Sequence, residues 1–357
     1  MTTVDGNAVV YCEGAFRTTY GKTAHGLVRF TKRYRVLSVV DSQCAGEDAG
    51  MILDGQSKNI PIFASVNEAV VAAQNGDFPA THLVIGLAPD GGHLSPSARQ
   101  AVLTAISLGL NVDSGLHDYL SEDPEISAAA GKNKVTLRDV RKSPPQDALH
   151  SFGGKIETVK ALKVIVLGTD SAVGKRTTAW LLVLGLQAKG IRAEMVGTGQ
   201  TAWMQGVKYG LILDTTINDF LAGEIEHAVW SAWHDYNPEV IVIEGQGSLM
   251  NPAYPGGYEL LAAARPDVVV LQHAPTRRDY DGFPGYPIEP LAKQIQAIEF
   301  ISGKPVVAIT LNHEGMAKAD IPAMCQAIKQ VAGIPAFDVL LDGPTGLLET
   351  LAPFLGK

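Results

Sequence analysis

A chain of 357 residues that is 46% hydrophobic and 18% charged has a globular composition and is too long for one ordinary core, so two domains are expected. The formal charge of −8, from 29 Lys and Arg against 37 Asp and Glu, argues against nucleic acid as a partner, which normally meets a basic face. Cys12, Cys44 and Cys325 lie far apart; they suggest neither a zinc knuckle nor a disulfide framework and fit a reducing cytoplasm. Met1–Ala8 lacks a signal pattern, and no apolar run approaches the ~20 residues that span a bilayer. A cytoplasmic protein with no membrane partner is expected, acting on a small molecule and assembling as a homo-oligomer.

In the first half, strands are expected at Ala8–Cys12, Arg35–Val40, His82–Leu87 and Asn111–Ser114. Helices are expected at Lys22–Tyr34, Val66–Asn75 and Ser95–Leu108. Val102, Ile106 and Leu110 recur at helical spacing; Ser95-Pro96 is a good helix start and Gly109 a good stop. Alternating strands and helices imply a parallel sheet covered on both faces, in a Rossmann-like order. Gly-x-Gly-x-x-Gly is missing after the first strand. Asp41, placed where a dinucleotide fold would hold a ribose, therefore lacks the rest of that fingerprint. The run from Ile60 to Tyr119 resembles the coenzyme-A-binding domains of succinyl-CoA-synthetase type. It shares their rhythm of short strand (Ile60–Phe63), helix opening near Asn67-Glu68-Ala69, strand followed by Pro89, helix (Leu103–Leu110) and final turn at Val112–His117. The alternative is a generic Rossmann-like domain with structural or oligomeric duties.

Pro144-Pro145, Gly153-Gly154 and the charged cluster Arg138–Lys142 mark a linker near residues 140–160. It divides a domain over 1–145 from one over 146–357. Beyond it, strands are expected at Lys163–Leu167, Arg192–Val196, Val240–Glu244, Val268–Gln272 and Val306–Leu311, several of them continuous aliphatic runs typical of buried parallel strands. The fold class is α/β: an N-terminal Rossmann-like domain and a C-terminal P-loop NTPase-like, doubly wound parallel sheet.

Between the first of these strands and the amphipathic run Ala179–Lys189 lies Gly168-Thr169-Asp170-Ser171-Ala172-Val173-Gly174-Lys175-Arg176-Thr177-Thr178. Strand, glycine-rich loop, Gly-Lys and helix together grip a polyphosphate. Loop N–H groups line a hollow, the helix N-terminus adds partial positive charge, and the lysine reaches phosphate oxygens. Five residues separate Gly168 from Gly174 where the common motif has four. Arg176 stands where Ser or Thr usually ligates magnesium, and Thr177, one residue later, is the substitute ligand. Phosphate binding is implied, whereas ATP as its source is not.

Ligands of such sheets sit outside the carboxyl ends of the strands. The candidate segments are Gly168–Thr178, Gly197–Thr201, Glu244–Leu249, His273–Arg278 and Asn312–Glu314. Glu244 ends its strand as an acid that holds magnesium, acts as a base, or caps the next turn. Asp170 meets a ligand amine, orients Lys175, or only ties the loop together. Asp214 and Asp219 precede a helix, where capping is the ordinary role. Arg277 and Arg278, on a loop leaving a strand end with His273, suit a dicarboxylate or a phosphate through bidentate pairing. The remaining histidines lack ligand spacing such as His-Glu-x-x-His, and no metal site is expected.

The second half resembles dethiobiotin synthetase and its P-loop relatives through Gly168-Thr169-Asp170, Val173-Gly174-Lys175 and Glu244-Gly245-Gln246-Gly247. Arg176 departs from the Thr of those enzymes. The whole chain is similar to the D-glutamate N-acetyltransferases, formerly a P-loop group of unknown function. Gly168–Thr178 and Glu244–Gly247 are the specific parts of that match. This resemblance implies acetyl-CoA as co-substrate and an amino acid dicarboxylate, D-glutamate, as acceptor. On that reading residues 168–178 bind the cofactor, with Lys175 taking its phosphates or the oxyanion. Glu244 or Asp170 is the base, and Arg277 and Arg278, beside His273, take the substrate carboxylates. The alternatives are a kinase or ligase using Mg-ATP, with Lys175 and Thr177 on the phosphates and Glu244 on the magnesium, and a non-enzymatic nucleotide-binding regulator.

Overall fold

The computed structural model describes residues 4–356; the expectation for Met1–Ala8 therefore lies partly outside the described residues. The chain forms two units, Met1–Ser143 with Gln200–Val207, and Pro144–Gly199 with Lys208–Lys357.

In the first unit the strands are β1 (Gly6–Tyr11), β2 (Tyr34–Val40), β3 (Ile62–Phe63), β4 (His82–Ile85), β5 (Asn111–Ser114) and β6 (Leu137–Asp139). They pair in the order β3-β2-β1-β4-β5-β6, parallel throughout. Successive side chains of a strand point to opposite faces, and the cores follow that rule. Val9, Tyr11, Leu83 and Ile85 join one cluster with Val102 and Ile106 of the helix Pro96–Ser107. Ala8, Val10 and Val84 join the other with Leu27 and Val28 of the helix Lys22–Arg29.

Three sequence expectations change here. The helix expected over Lys22–Tyr34 stops at Arg29, because Phe30 is extended and Thr31 Oγ1 accepts from the backbone N–H groups of Arg33 and Tyr34. The cluster Arg138–Lys142 is not linker. Its first residues form the edge strand β6, and buried Arg141 donates to the Gly115 carbonyl at 2.6 Å. Residues 200–207, expected within the second domain, belong to the first. Thr201 Oγ1 meets Thr23 Oγ1 at 2.8 Å, Gln205 Nε2 donates to the Gly26 and Phe30 carbonyls, and Met204 is fully buried in the core with Ala8 and Val10.

The second unit contains β7 (Leu162–Gly168), β8 (Ala193–Gly197), β9 (Tyr209–Gly210), β10 (Val240–Glu244), β11 (Val268–His273), β12 (Val306–Leu311) and β13 (Ala336–Phe337). Their order is β13-β12-β11-β7-β10-β8-β9, again all parallel. Val164, Ile165 and Val166 of β7 and Val240–Ile243 of β10 have no exposed surface, as strands covered on both faces require. The register aligns Glu244 with Val166, and Gln272 with both Gly168 and Thr310. The loops after these strands thus leave one edge at nearly one level. Among the described residues no helix is long and apolar enough to cross a membrane.

Candidate functional site

β7 delivers the glycine-rich loop, and the helix Lys175–Ala188 takes it over with no side chain capping its start. The uncapped first-turn N–H groups give that end its partial positive charge. Gly168 admits no side chain, since a Cβ there would sit 2.9 Å from both Cδ and Nζ of Lys175. Gly174 turns the chain with φ near +105°, a value L-residues avoid. Ala172 is held at φ +49° without glycine's freedom, a strained geometry that recurs at ligand-binding loops. Lys175 Nζ donates to the carbonyls of Asp170 and Gly247, each at 2.7 Å. Its ammonium therefore joins the loop after β7 to the loop after β10. A phosphate oxygen would exchange these neutral acceptors for a charged one.

Asp170 has no exposed surface and takes four donors. Oδ1 accepts from Ser171 N (2.7 Å) and Asn251 Nδ2 (2.8 Å), while Oδ2 accepts from Asp281 N (2.8 Å) and Arg277 Nη1 (2.9 Å). Of the roles open to it in the sequence, these contacts match tying the loop together. Lys175 meets its carbonyl, not its carboxylate. Arg277 also donates to the Ser171 carbonyl at 2.8 Å and through Nη2 to Glu314 at 2.9 Å. Its guanidinium clamps the loop between two acids, and burial is outweighed by Asp170 and Glu314 in setting its proton affinity, which rises. The neighbouring Arg278 is exposed. Of the two arginines it is Arg278 that remains available to a ligand.

Glu244 ends β10 buried, accepting from Thr198 N at 3.0 Å. Burial pushes its carboxyl pKa up, against the opposing pull of Arg176, the Thr198 N–H and Lys175. Arg176 thus lies near enough to act on this acid electrostatically. Thr178 and Thr310 both donate to Gln272 Oε1, pinning the helix start to β11 and β12, whereas Thr177 is half-buried in the first turn. His273 shares a hydrogen bond with Thr169 Oγ1 at 3.0 Å, and burial pulls its pKa down to about 4. It is therefore a neutral donor–acceptor at neutral pH. Asp214 and Asp219 are exposed; Asp219 lies in the first turn of the helix Asn218–Tyr236 and not at its cap.

Asn251 escaped sequence reasoning, and His313, inside the candidate segment Asn312–Glu314, was not matched there with its partner. Asn251 holds Asp170 and also accepts from Ala253 N and Tyr254 N, closing its own turn. His313, just past β12, has Nδ1 2.5 Å from Oδ2 of Asp338, the residue after β13. Only strand pairing joins His313 to Asp338, 25 positions away in sequence, and no linear spacing announces such a pair.

A glycine-rich loop feeding a helix N-terminus, its lysine, and an acid at the neighbouring strand end define a P-loop protein. The chain belongs to the DUF1611 family. The family's P-loop domain of unknown function matches residues 150–348, and its Rossmann-like domain of unknown function matches residues 42–143. Two relatives bear the name D-glutamate N-acetyltransferase. One, from Tritonibacter scottomollicae, is 32% identical over 280 residues, covering 76% of this chain and 81% of the relative. The other, from a Pseudoalteromonas species, is 30% identical over 279 residues with the same coverage. The crystal structure of a DUF1611 family protein from Anabaena variabilis ATCC 29413 superposes with a TM-score of 0.87. It is 29% identical, and the match covers 98% of this chain and 99% of that one.

Proposed function

We propose that the protein is an N-acetyltransferase that moves the acetyl group of acetyl-CoA to the amine of D-glutamate. The observation that carries this reading is the similarity to two D-glutamate N-acetyltransferases over 76% of the chain. The site supports it chemically. The loop from Gly168 to Thr178 offers N–H groups, Lys175 and Arg176 to the phosphates of coenzyme A. Arg176, in place of a magnesium-ligating hydroxyl, supplies cationic charge directly. Acetyl transfer breaks no phosphoryl bond, so the loop need only bind and position. Arg278 takes a carboxylate of the acceptor, while Arg277 holds the loop that presents it.

Thioester aminolysis needs a neutral amine, a group to receive its proton, and donors for the oxyanion. Asp170 is taken by four donors, and Glu244 is enclosed behind the loop. Neither meets an incoming amine as the site stands. Glu244 lies close enough to Arg176 and Lys175 for their charge to pull against the burial that raises its pKa.

Calorimetric titration with acetyl-CoA, coenzyme A and Mg-ATP in parallel, followed by thiol-release assays on D- and L-glutamate, aspartate and alanine, tests this reading. Coenzyme A binding with acetylation of D-glutamate is expected. Mg-ATP binding without coenzyme A binding would overturn it and favour an ATP-dependent kinase or ligase. That second reading draws on Glu244, which ends the strand beside the loop, where P-loop enzymes keep the acid that serves magnesium. Nucleotide binding with no turnover would point to a regulator.

A further inference from the structure

The base missing from the loop lies further along the same sheet edge. We infer that His313 is the general base of the acyl transfer and that Asp338 is its positioning residue. This inference rests on the acetyltransferase reading. Asp338 has no exposed surface, and its two oxygens are divided: Oδ1 accepts from Leu340 N at 3.1 Å and Leu341 N at 3.0 Å, and Oδ2 faces His313 Nδ1. The turn after β13 therefore fixes the carboxylate, and the carboxylate fixes the imidazole. An acceptor oxygen at Nδ1 selects the tautomer with its proton there, which leaves the lone pair on Nε2. No hydrogen bond occupies Nε2 among the described residues, and the His313 side chain keeps 30% of its surface exposed. An oriented imidazole with one nitrogen anchored on a buried acid and the other open is the arrangement of a general base.

Its place along the edge suits a coenzyme A thioester. β11 alone separates β12 from β7, so at roughly 4.8 Å per strand the end of β12 lies about 10 Å from the loop strand. The reacting carbon of acetyl-CoA is at the far end of the pantetheine arm from the diphosphate, so phosphate grip and proton acceptor should be separate. The loops that would hold the acceptor are tied to the dyad. Asn312 N donates to the His273 carbonyl at 2.8 Å, Thr276 Oγ1 to the Glu314 carbonyl at 2.6 Å, and Arg277 to the Glu314 side chain. The charged and titratable groups around the dyad are Glu314, already paired with Arg277, and, on the Asp338 side, Cys325 and Asp342. Burial, Asp338 and Asp342 push the Cys325 thiol up.

The neutral acceptor amine attacks the thioester carbonyl carbon, forming the C–N bond as the carbonyl electron pair moves to oxygen. His313 Nε2 takes the proton the nitrogen must lose. Collapse breaks the C–S bond, and the imidazolium returns that proton to the departing thiolate, leaving N-acetyl product, coenzyme A thiol and neutral histidine.

His313→Gln and Asp338→Asn are compared with the wild type in steady-state acetylation across pH, with thermal unfolding as a control. His313→Gln is expected to lower kcat by about 10²–10⁴-fold with KM nearly unchanged, and to abolish the acidic limb of the kcat/KM profile. Asp338→Asn keeps the shape of the turn and disturbs the tautomer, and it should lower kcat while leaving coenzyme A affinity intact. Nitrogen-15 NMR of the wild type should show the proton of the neutral His313 ring on Nδ1. An active wild type beside a folded His313→Gln variant with unchanged kcat and pH profile would overturn the dyad's role alone. An inactive wild type would overturn the acetyltransferase reading and this role with it.

Discussion

Both sheets are wholly parallel and both alternate strand with helix, yet the residues at their carboxyl ends are spent differently. At the first sheet the acids close loops. Asp41 accepts from Phe16 N at 2.9 Å and Gln43 N at 3.0 Å, Glu13 from Ser42, and Asp139 from Leu120 N and Ser121 N. At the second sheet Asp170 and Asp338 perform the same closing service, but Asp170 ties down the loop that carries Lys175 and holds Arg277, and Asp338 meets His313. Two sheets of one architecture thus differ in whether their acids bind mainly backbone N–H groups or also hold cationic and imidazole side chains in place. Function belongs to such sites and not to the layer plan that carries them.

The sharpest test of this contrast is Asp170→Ala, which leaves Arg277 and three other donors without their central acceptor in a buried place. A loss of about 3–5 kcal/mol in unfolding free energy is expected, because a buried cation loses its buried partner and keeps only the half-exposed Glu314. Urea unfolding measures it, and a loss under 1 kcal/mol would mean that Arg277 is secured by Glu314 and the Ser171 carbonyl alone. His273 gives the next largest effect and acts through pH. Its folded pKa of about 4 lies below the ordinary 6.5, so the unfolded chain binds more protons between those values. The stability is fully present above pH 6.5 and is lost as pH falls toward 4, by about 3 kcal/mol. His273→Asn should flatten that slope in urea melts run from pH 7 to 4; an unchanged slope would place the acid sensitivity elsewhere.

Lys175→Ala should weaken the phosphorylated ligand by about 1.5–3 kcal/mol, tenfold to a hundredfold in Kd by calorimetry. Equal affinity in the variant would remove the loop lysine from binding. Asp41→Ala, at the first sheet, should cost about 1–2 kcal/mol of stability for its two lost backbone contacts and leave acetyl-CoA affinity as it was. Altered affinity there would break the contrast by giving the first sheet a share in the ligand.

The sequence made part of this readable because local patterns report local structure. Continuous aliphatic runs marked β7, β10, β11 and β12, and Gly168–Thr178 marked the phosphate loop, since strand, turn and helix N-terminus are consecutive there. Short edge strands left no period to detect. The three residues of β6 read as a charged linker because Arg138 and Asp139 carry the composition of one. The site partners were harder still. Asp170 meets Arg277 across 107 positions and Asn251 across 81, contacts that exist only once parallel strands set their ends side by side. The paired arginines looked equivalent in sequence; burial separated them, turning Arg277 into a clamp and leaving Arg278 exposed.

The small segment Gln200–Val207 carries a consequence for how this protein is made. It emerges between β8 and β9 of the second unit, yet Met204 is sealed in the core of the first. A ribosome that has released residues 1–143 has released an unfinished domain. The first unit must wait, with the surface around Ala8, Val10 and Leu27 unsealed, until residue 207 clears the exit tunnel. Neither unit can then be excised by a single cut at residue 143, and a truncated N-terminal fragment should be sticky where a full-length chain is not.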